Sequence, residues 1–182
     1  MFEEEILLGV VERCIRLDTH LGTPIPNSIG PEPDEKARQF YERIRKKFGS
    51  RWINRKPATG VYNCFGMVFA SRRTSILDNE VIRLILKEDG YRRLSTQTDL
   101  HTGDIVLYRD CERDDIYHVA MVTRWQPLVM PSDSVGAHSR TGACYVLSKW
   151  DRFCGEDEHH IEHHCWVDAD VQLEYWTDRP EL

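Results

Sequence analysis

The sequence predicts an α+β domain in which helices come first and a small antiparallel sheet follows. Three observations carry that prediction. Apolar residues recur at helical spacing through the first half, up to about Lys87. Beyond Gly103-Asp104 they give way to short runs rich in Val, Ile and Tyr, residues that fit a pleated sheet. The links between those runs are charged or rich in Pro, Ser and Gly rather than helical, so the alternating order of a parallel sheet is absent.

From Glu3 to about Leu21 the apolar set Ile6, Leu7, Val10, Val11, Cys14, Ile15 and Leu17 predicts an amphipathic helix, with Glu12, Arg13 and Arg16 facing water. Residues 22–33 hold four prolines and two glycines and read as an irregular connector. A second helix is expected from Pro33-Asp34 to Phe48, stopped by Gly49 and packed through Ala37, Phe40, Tyr41, Ile44 and Phe48. The basic stretch Arg51 to Gly60 then leads into Val61-Tyr-Asn-Cys-Phe-Gly-Met-Val-Phe-Ala70, where a helix is expected from Cys64 to about Arg73. Another spans about Asn79 to Lys87, ended by Asp89-Gly90, and Tyr91-Arg-Arg-Leu94 reads as a short strand.

In the second half, Ile105-Val-Leu-Tyr108 and Ile116-Tyr-His-Val-Ala-Met-Val-Thr123 form a hairpin across the charged loop Asp110 to Asp115. Residues 126–142 read as a surface loop and Ala143-Cys-Tyr-Val-Leu-Ser-Lys-Trp150 as a third strand. A His-rich turn follows, with Val171–Trp176 as an edge strand. At 182 residues this is one domain: an N-terminal helical part over 1–60, a core over 61–150, and a closing segment over 151–182.

Hydrophobic residues at 41% and charged residues at 30% describe an ordinary globular chain. The net charge of −6 argues against a nucleic-acid binder, which needs a basic surface, although Arg43-Ile-Arg-Lys-Lys47 is a local basic run. No stretch approaches the ~20 apolar residues that span a bilayer. The acidic start Met1-Phe-Glu-Glu-Glu lacks the pattern of a signal peptide, so a cytoplasmic product is expected. In a reducing compartment the six cysteines, none in a C-x-x-C pair, are expected as free thiols.

One cysteine stands apart. Cys64 sits where an extended approach turns into an apolar helix, and the unpaired N–H groups of a helix start favour a thiolate. Among eight histidines His118 alone lies in mid-strand, on the face of Ala120 and Val122. A sheet packed under the Cys64 helix would bring the two together as nucleophile and base. The competing reading is a small buried hydrophobe and a hydrogen-bonded core histidine.

The succession Asn63-Cys-Phe-Gly66, Gly103-Asp-Ile-Val-Leu-Tyr108, His118-Val-Ala-Met-Val122 and Ser148-Lys-Trp150 resembles the papain-like cysteine peptidases of the NlpC type. It looks closer still to a bacterial branch with Asn-Cys-aromatic-Gly and Ser-Lys-Trp motifs. The resemblance covers Tyr62 to Trp150, and it implies a papain-like fold with the Cys-bearing helix on a small antiparallel sheet. It further implies Cys64 as nucleophile and His118 as general base. The backbone N–H of Cys64, with the Asn63 side chain, would line an oxyanion site; NlpC enzymes usually have Asp where this chain has Asn63. For the group that orients the base, Ser148 and His159 are equal candidates.

The segment Cys154-Gly-Glu-Asp-Glu-His-His-Ile-Glu-His-His-Cys165 invites a metal reading, since His159-His-Ile-Glu-His163 fits the inverted zinc-protease pattern with Glu162 as base. It lacks an apolar helical stripe and a third ligand set apart, so a solvated loop is the preferred reading and no cofactor is expected. The function expected is a hydrolase cutting an amide or peptide bond, acting on a peptide or protein and on neither nucleic acid nor membrane. Two alternatives stay open: an acyl or amide transferase or deamidase on the same pair, and an inactive binding or immunity-type module with the same fold.

Overall fold

The computed structural model describes residues 13–95, 99–110, 112–127, 142–149, 158–162 and 171–180. Three helices, α1 (Glu35–Phe48), α2 (Cys64–Phe69) and α3 (Asn79–Glu88), accompany seven strands. These are β1 (Ile53–Lys56), β2 (Arg92–Arg93), β3 (Ile105–Asp110), β4 (Asp115–Pro127), β5 (Gly142–Ser148), β6 (Glu158–Glu162) and β7 (Val171–Thr177). All pairings are antiparallel, in the order β1-β6-β5-β4-β3-β7-β2, so β4 is the central strand. The α+β class is as the sequence predicts. No helix among the described residues is long and apolar enough to cross a membrane.

The helix boundaries follow local chemistry. Asp34 caps α1 by accepting from the Ala37 N–H at 2.7 Å, and Gly49 ends it at φ 55°. Asp78 caps α3 in the same way, and Gly90 ends that turn at φ 75°. Val81, Ile82, Ile85 and Leu86 of α3 are buried, each worth roughly 1.5–3 kcal/mol by apolar burial. The sheet is hydrophobic on both sides. Ile105, Leu107, Ile116 and Val119 pack with Cys64, Phe65 and α3 in one cluster. Val106, Tyr108, Ala120, Val122, Cys144 and Val146 pack with Trp52 and Tyr175 in another.

Several expectations are corrected. The helix expected to reach Leu21 is absent from residue 13 onward, its earlier part lying outside the described residues. Instead Arg13 bridges Ile29 and Asp18 bridges Pro24, while the Asn27 side chain binds the backbone of Ile15 in both directions. Long-range backbone pairing thus wins over local helical period. Helix α1 has the expected limits; of its apolar residues Phe40 is 50% exposed, while Phe48 stacks on Trp52 at 5.5 Å. Helix α2 stops at Phe69 rather than Arg73, because Ser71 and Arg72 adopt left-handed conformations and turn the chain back.

The second half holds three more. Strand β4 runs on to Pro127, into what reads as loop, and the remainder of that loop (128–141) lies outside the described residues. The His-rich turn is in part a strand: β6 inserts between β1 and β5. Strand β7 is not an edge, since it pairs with β3 on one side and β2 on the other. Its Glu174, only 3% exposed, is held by Arg93 at 3.3 Å and Arg109 at 3.5 Å.

Candidate functional site

The cysteine segment is held by one side chain. Asn63, fully buried, adopts an extended backbone and caps α2, its Oδ1 accepting from the Gly66 N–H at 2.9 Å. The same oxygen accepts from the Ile76 N–H at 3.2 Å, and Nδ2 donates to the Ile76 carbonyl at 2.7 Å. Both ends of the amide therefore clamp the returning chain to the start of the helix. A carboxylate could cap the helix but could not donate to that carbonyl, which supplies a physical reason for Asn at this position. These bonds make Asn63 a positioning residue for Cys64.

The return is close. A Cβ on Gly66 would lie 1.7 Å from the Thr74 carbonyl oxygen, so only glycine admits that backbone. Cys64 is the first residue of α2, directly after the cap. Because α2 has six residues, what it offers the thiol is the field of its first-turn N–H groups rather than a long dipole.

His118, 1% exposed, lies on the central strand β4, against which α2 also packs. Its Nε2 is 2.8 Å from Ser148 Oγ on the neighbouring strand β5. The tilted ring of Tyr108, whose residue pairs with His118 in register, stands 5.0 Å away between centroids. Ser148 is fully buried. The structure therefore brings His118 and Ser148 together. His159, the other candidate for orienting the base, lies opposite Ser148 in the β5–β6 register and opposite Asn54 in the β1–β6 register.

Cys64 and His118 stand in different packing environments. The thiol belongs to the cluster that contains Val119, whereas His118 shares its face of β4 with Ala120 and Val122, members of the other cluster. The register shift between Tyr108 and Arg109 explains why Ile116, two residues before His118, packs on the Cys64 side. Two cavities lined by described residues, of about 220 and 190 Å³, do not include Cys64 or His118 in those linings. The smaller one is bordered by Ser75 and Asp78, next to the turn that Asn63 holds.

Two residues escape a search for catalytic types. Lys149, fully buried, donates from Nζ to the Thr59 carbonyl at 3.1 Å and stands over the Tyr62 ring at 5.4 Å. It ties the end of β5 to the chain that delivers Cys64, and a desolvated cation over an aromatic face is worth about 2 kcal/mol. The Ser-Lys-Trp motif was its signal. Tyr108 is the other; burial pushes its hydroxyl well above the ordinary tyrosine range. Burial likewise pushes the Cys144 thiol up to about 12, leaving an unreactive thiol on the His118 side of the sheet.

The inverted zinc-protease pattern runs from His159 to His163, and the part that is described, Glu158–Glu162, is a strand rather than a helix. His163 lies outside the described residues. Comparison with protein-family models, with curated proteins and with solved structures finds no match to this chain.

Proposed function

We propose that the chain is a cysteine hydrolase that cleaves an amide or peptide bond, with Cys64 as nucleophile, His118 as base and Ser148 as the group that orients the imidazole. The observation that carries this reading is the 2.8 Å contact between Ser148 Oγ and His118 Nε2 on the central strand. The contact holds the ring orientation, and in the tautomer in which Nε2–H donates to Ser148 Oγ, Nδ1 carries the lone pair that would take the thiol proton. The Asn63 cap, which sets Cys64 at the first position of α2, supports the same assignment, as does the motif order that resembles NlpC-type peptidases.

In this mechanism the Cys64 proton passes to His118 and the thiolate attacks the carbonyl carbon. The backbone N–H of Cys64 donates to the resulting oxyanion. The C–N bond then breaks as the imidazolium protonates the leaving amine. Water, deprotonated by His118, releases the acid and restores the thiol. Ser148 contributes a neutral hydroxyl rather than a carboxylate, so it steers the ring more than it stabilises imidazolium charge.

A second reading is an inactive binding module that retains this architecture. It is favoured by the complete burial of Cys64 and by its packing on the Val119 side of β4, whereas His118 shares the face of Ala120 and Val122. Alkylation mapped by mass spectrometry separates the two. The hydrolase reading expects iodoacetamide to modify Cys64 near neutral pH faster than the exposed Cys14, with Cys144 inert. Equal or slower modification of Cys64 selects the binding module.

A further inference from the structure

An ammonium is buried at the end of β5. Lys149 is fully buried, although a charge taken into the interior is costly unless neighbouring groups take it up. Its Nζ donates to the Thr59 carbonyl at 3.1 Å and stands 5.4 Å from the centre of the Tyr62 ring, itself 5% exposed. Both groups belong to the segment that ends at Cys64.

That segment is gripped elsewhere too. The Thr59 hydroxyl donates to Glu32 Oε1 at 2.8 Å and accepts from the Val61 N–H at 3.2 Å. Tyr62 lies against α2, where its Cβ would stand 3.2 Å from one placed on Gly66. In a close-packed interior, displacing the Tyr62 ring displaces the first turn of α2, which begins at Cys64. The residue before Lys149 serves the other half of the site, since Ser148 Oγ is 2.8 Å from His118 Nε2. Two consecutive residues at the end of β5 thus hold the two halves, Ser148 the imidazole and Lys149 the approach to the thiol.

We propose that Lys149 is a positioning residue for Cys64, locking residues 59–62 and the first turn of α2 to the strand end that orients His118. This rests on the reading of Cys64 and His118 as nucleophile and base. Lys149 acts through Thr59 and Tyr62 rather than on substrate. A lysine suits the task because one ammonium can donate to a carbonyl and meet a ring face together. Methionine, of similar length and uncharged, cannot donate to the carbonyl. Offsets of about 1 Å between reacting groups cost on the order of 100-fold in rate, so such a tether bears directly on the chemistry.

The test is the pH–rate profile for iodoacetamide alkylation of Cys64 in the parent, Lys149→Met and Tyr62→Leu, with Tyr62→Phe, Leu94→Ala and His118→Gln as references. A displaced thiol loses part of the imidazolium field that favours its thiolate. Lys149→Met is therefore expected to slow alkylation about tenfold near neutral pH, as for a thiolate pKa raised by about one, and to leave the high-pH plateau unchanged. Tyr62→Leu, which keeps the ammonium and removes the ring, should do the same; Tyr62→Phe, which keeps the ring face, should match the parent. Loosening alone has the opposite sign, because it would expose the fully buried Cys64 and speed alkylation at every pH. Leu94→Ala measures that effect, since Leu94 bonds the Tyr175 carbonyl of β7, two strands from β4. Should Lys149→Met not accumulate as folded protein, the contrast between Tyr62→Leu and Tyr62→Phe decides. With an activated parent thiol, folded Lys149→Met at the parent's neutral rate, or faster at every pH like Leu94→Ala, overturns the proposal and leaves the hydrolase reading standing. A parent profile at the ordinary cysteine value, unmoved by His118→Gln, overturns both.

Discussion

Replacing Ser148 by alanine isolates the contact on which the site is built. The hydroxyl is fully buried and stands 2.8 Å from His118 Nε2, and His118 itself is 1% exposed. Removing it leaves a buried ring nitrogen without this partner, so the cost is a desolvation penalty of about 1–3 kcal/mol rather than the smaller net worth of an exposed hydrogen bond. The cavity left by one oxygen adds little. Taking about 2 kcal/mol, a domain of this size should lose about 4–8 °C in Tm and shift its urea midpoint at unchanged m. The assay is urea denaturation followed by circular dichroism, paired with the alkylation rate of Cys64 near neutral pH. The imidazole, no longer held in orientation by Ser148, should activate the thiol less well and slow that rate. A Ser148→Ala protein as stable as the parent, with the same Cys64 rate, would refute the reasoning.

Further outcomes follow from neighbouring contacts. Asn63→Ala should lose about 2–4 kcal/mol, because a helix cap and both bonds to Ile76 go together, and Asn63→Asp should recover the cap but not the bond to the Ile76 carbonyl; urea midpoints for the pair check this. Gly66→Ala should fail to accumulate as folded protein, since the added Cβ collides with the Thr74 carbonyl backbone, and soluble expression with circular dichroism reads the result. Burial raises the Asp104 carboxyl, but hydrogen bonds from Arg179, Thr177 and the His101 backbone outweigh it and hold the group below the usual 3.8. Its folded pKa is thus below the unfolded one, so its stabilisation is present above about pH 4 and is lost as pH falls through the folded value. Asp104→Asn should cost about 2 kcal/mol at neutral pH and flatten the acid limb of a stability–pH profile.

Where sequence reading succeeded, the determinants were local. Asp34 and Asp78 mark helix starts, Gly49 and Gly90 mark ends, and the β3–β4 hairpin is written in two sheet-forming runs around a charged loop. Where it failed, the determinants were distant. Residues 13–21 have helical period but are drawn into bridges with 24–29, and α2 ends early because the chain must return to Asn63. Strand β6 has no apolar alternation to betray it, since Glu158-His-His-Ile-Glu162 is set in the sheet by pairing with β5 and β1. The site divides in the same way. His118 in mid-strand and Ser148 on the adjacent strand were legible from period and motif, whereas the buried Lys149 and the double clamp of Asn63 depend on chain returns that no spacing reveals.

The most direct test of the central claim is the pH–rate profile for alkylation of Cys64 in the parent protein and in His118→Gln. An activated pair predicts a Cys64 thiolate that forms below the ordinary cysteine pKa of about 8.5 and moves up by on the order of one unit or more when the imidazole is removed. Identical profiles in the two proteins, both at or above the ordinary value, would contradict it.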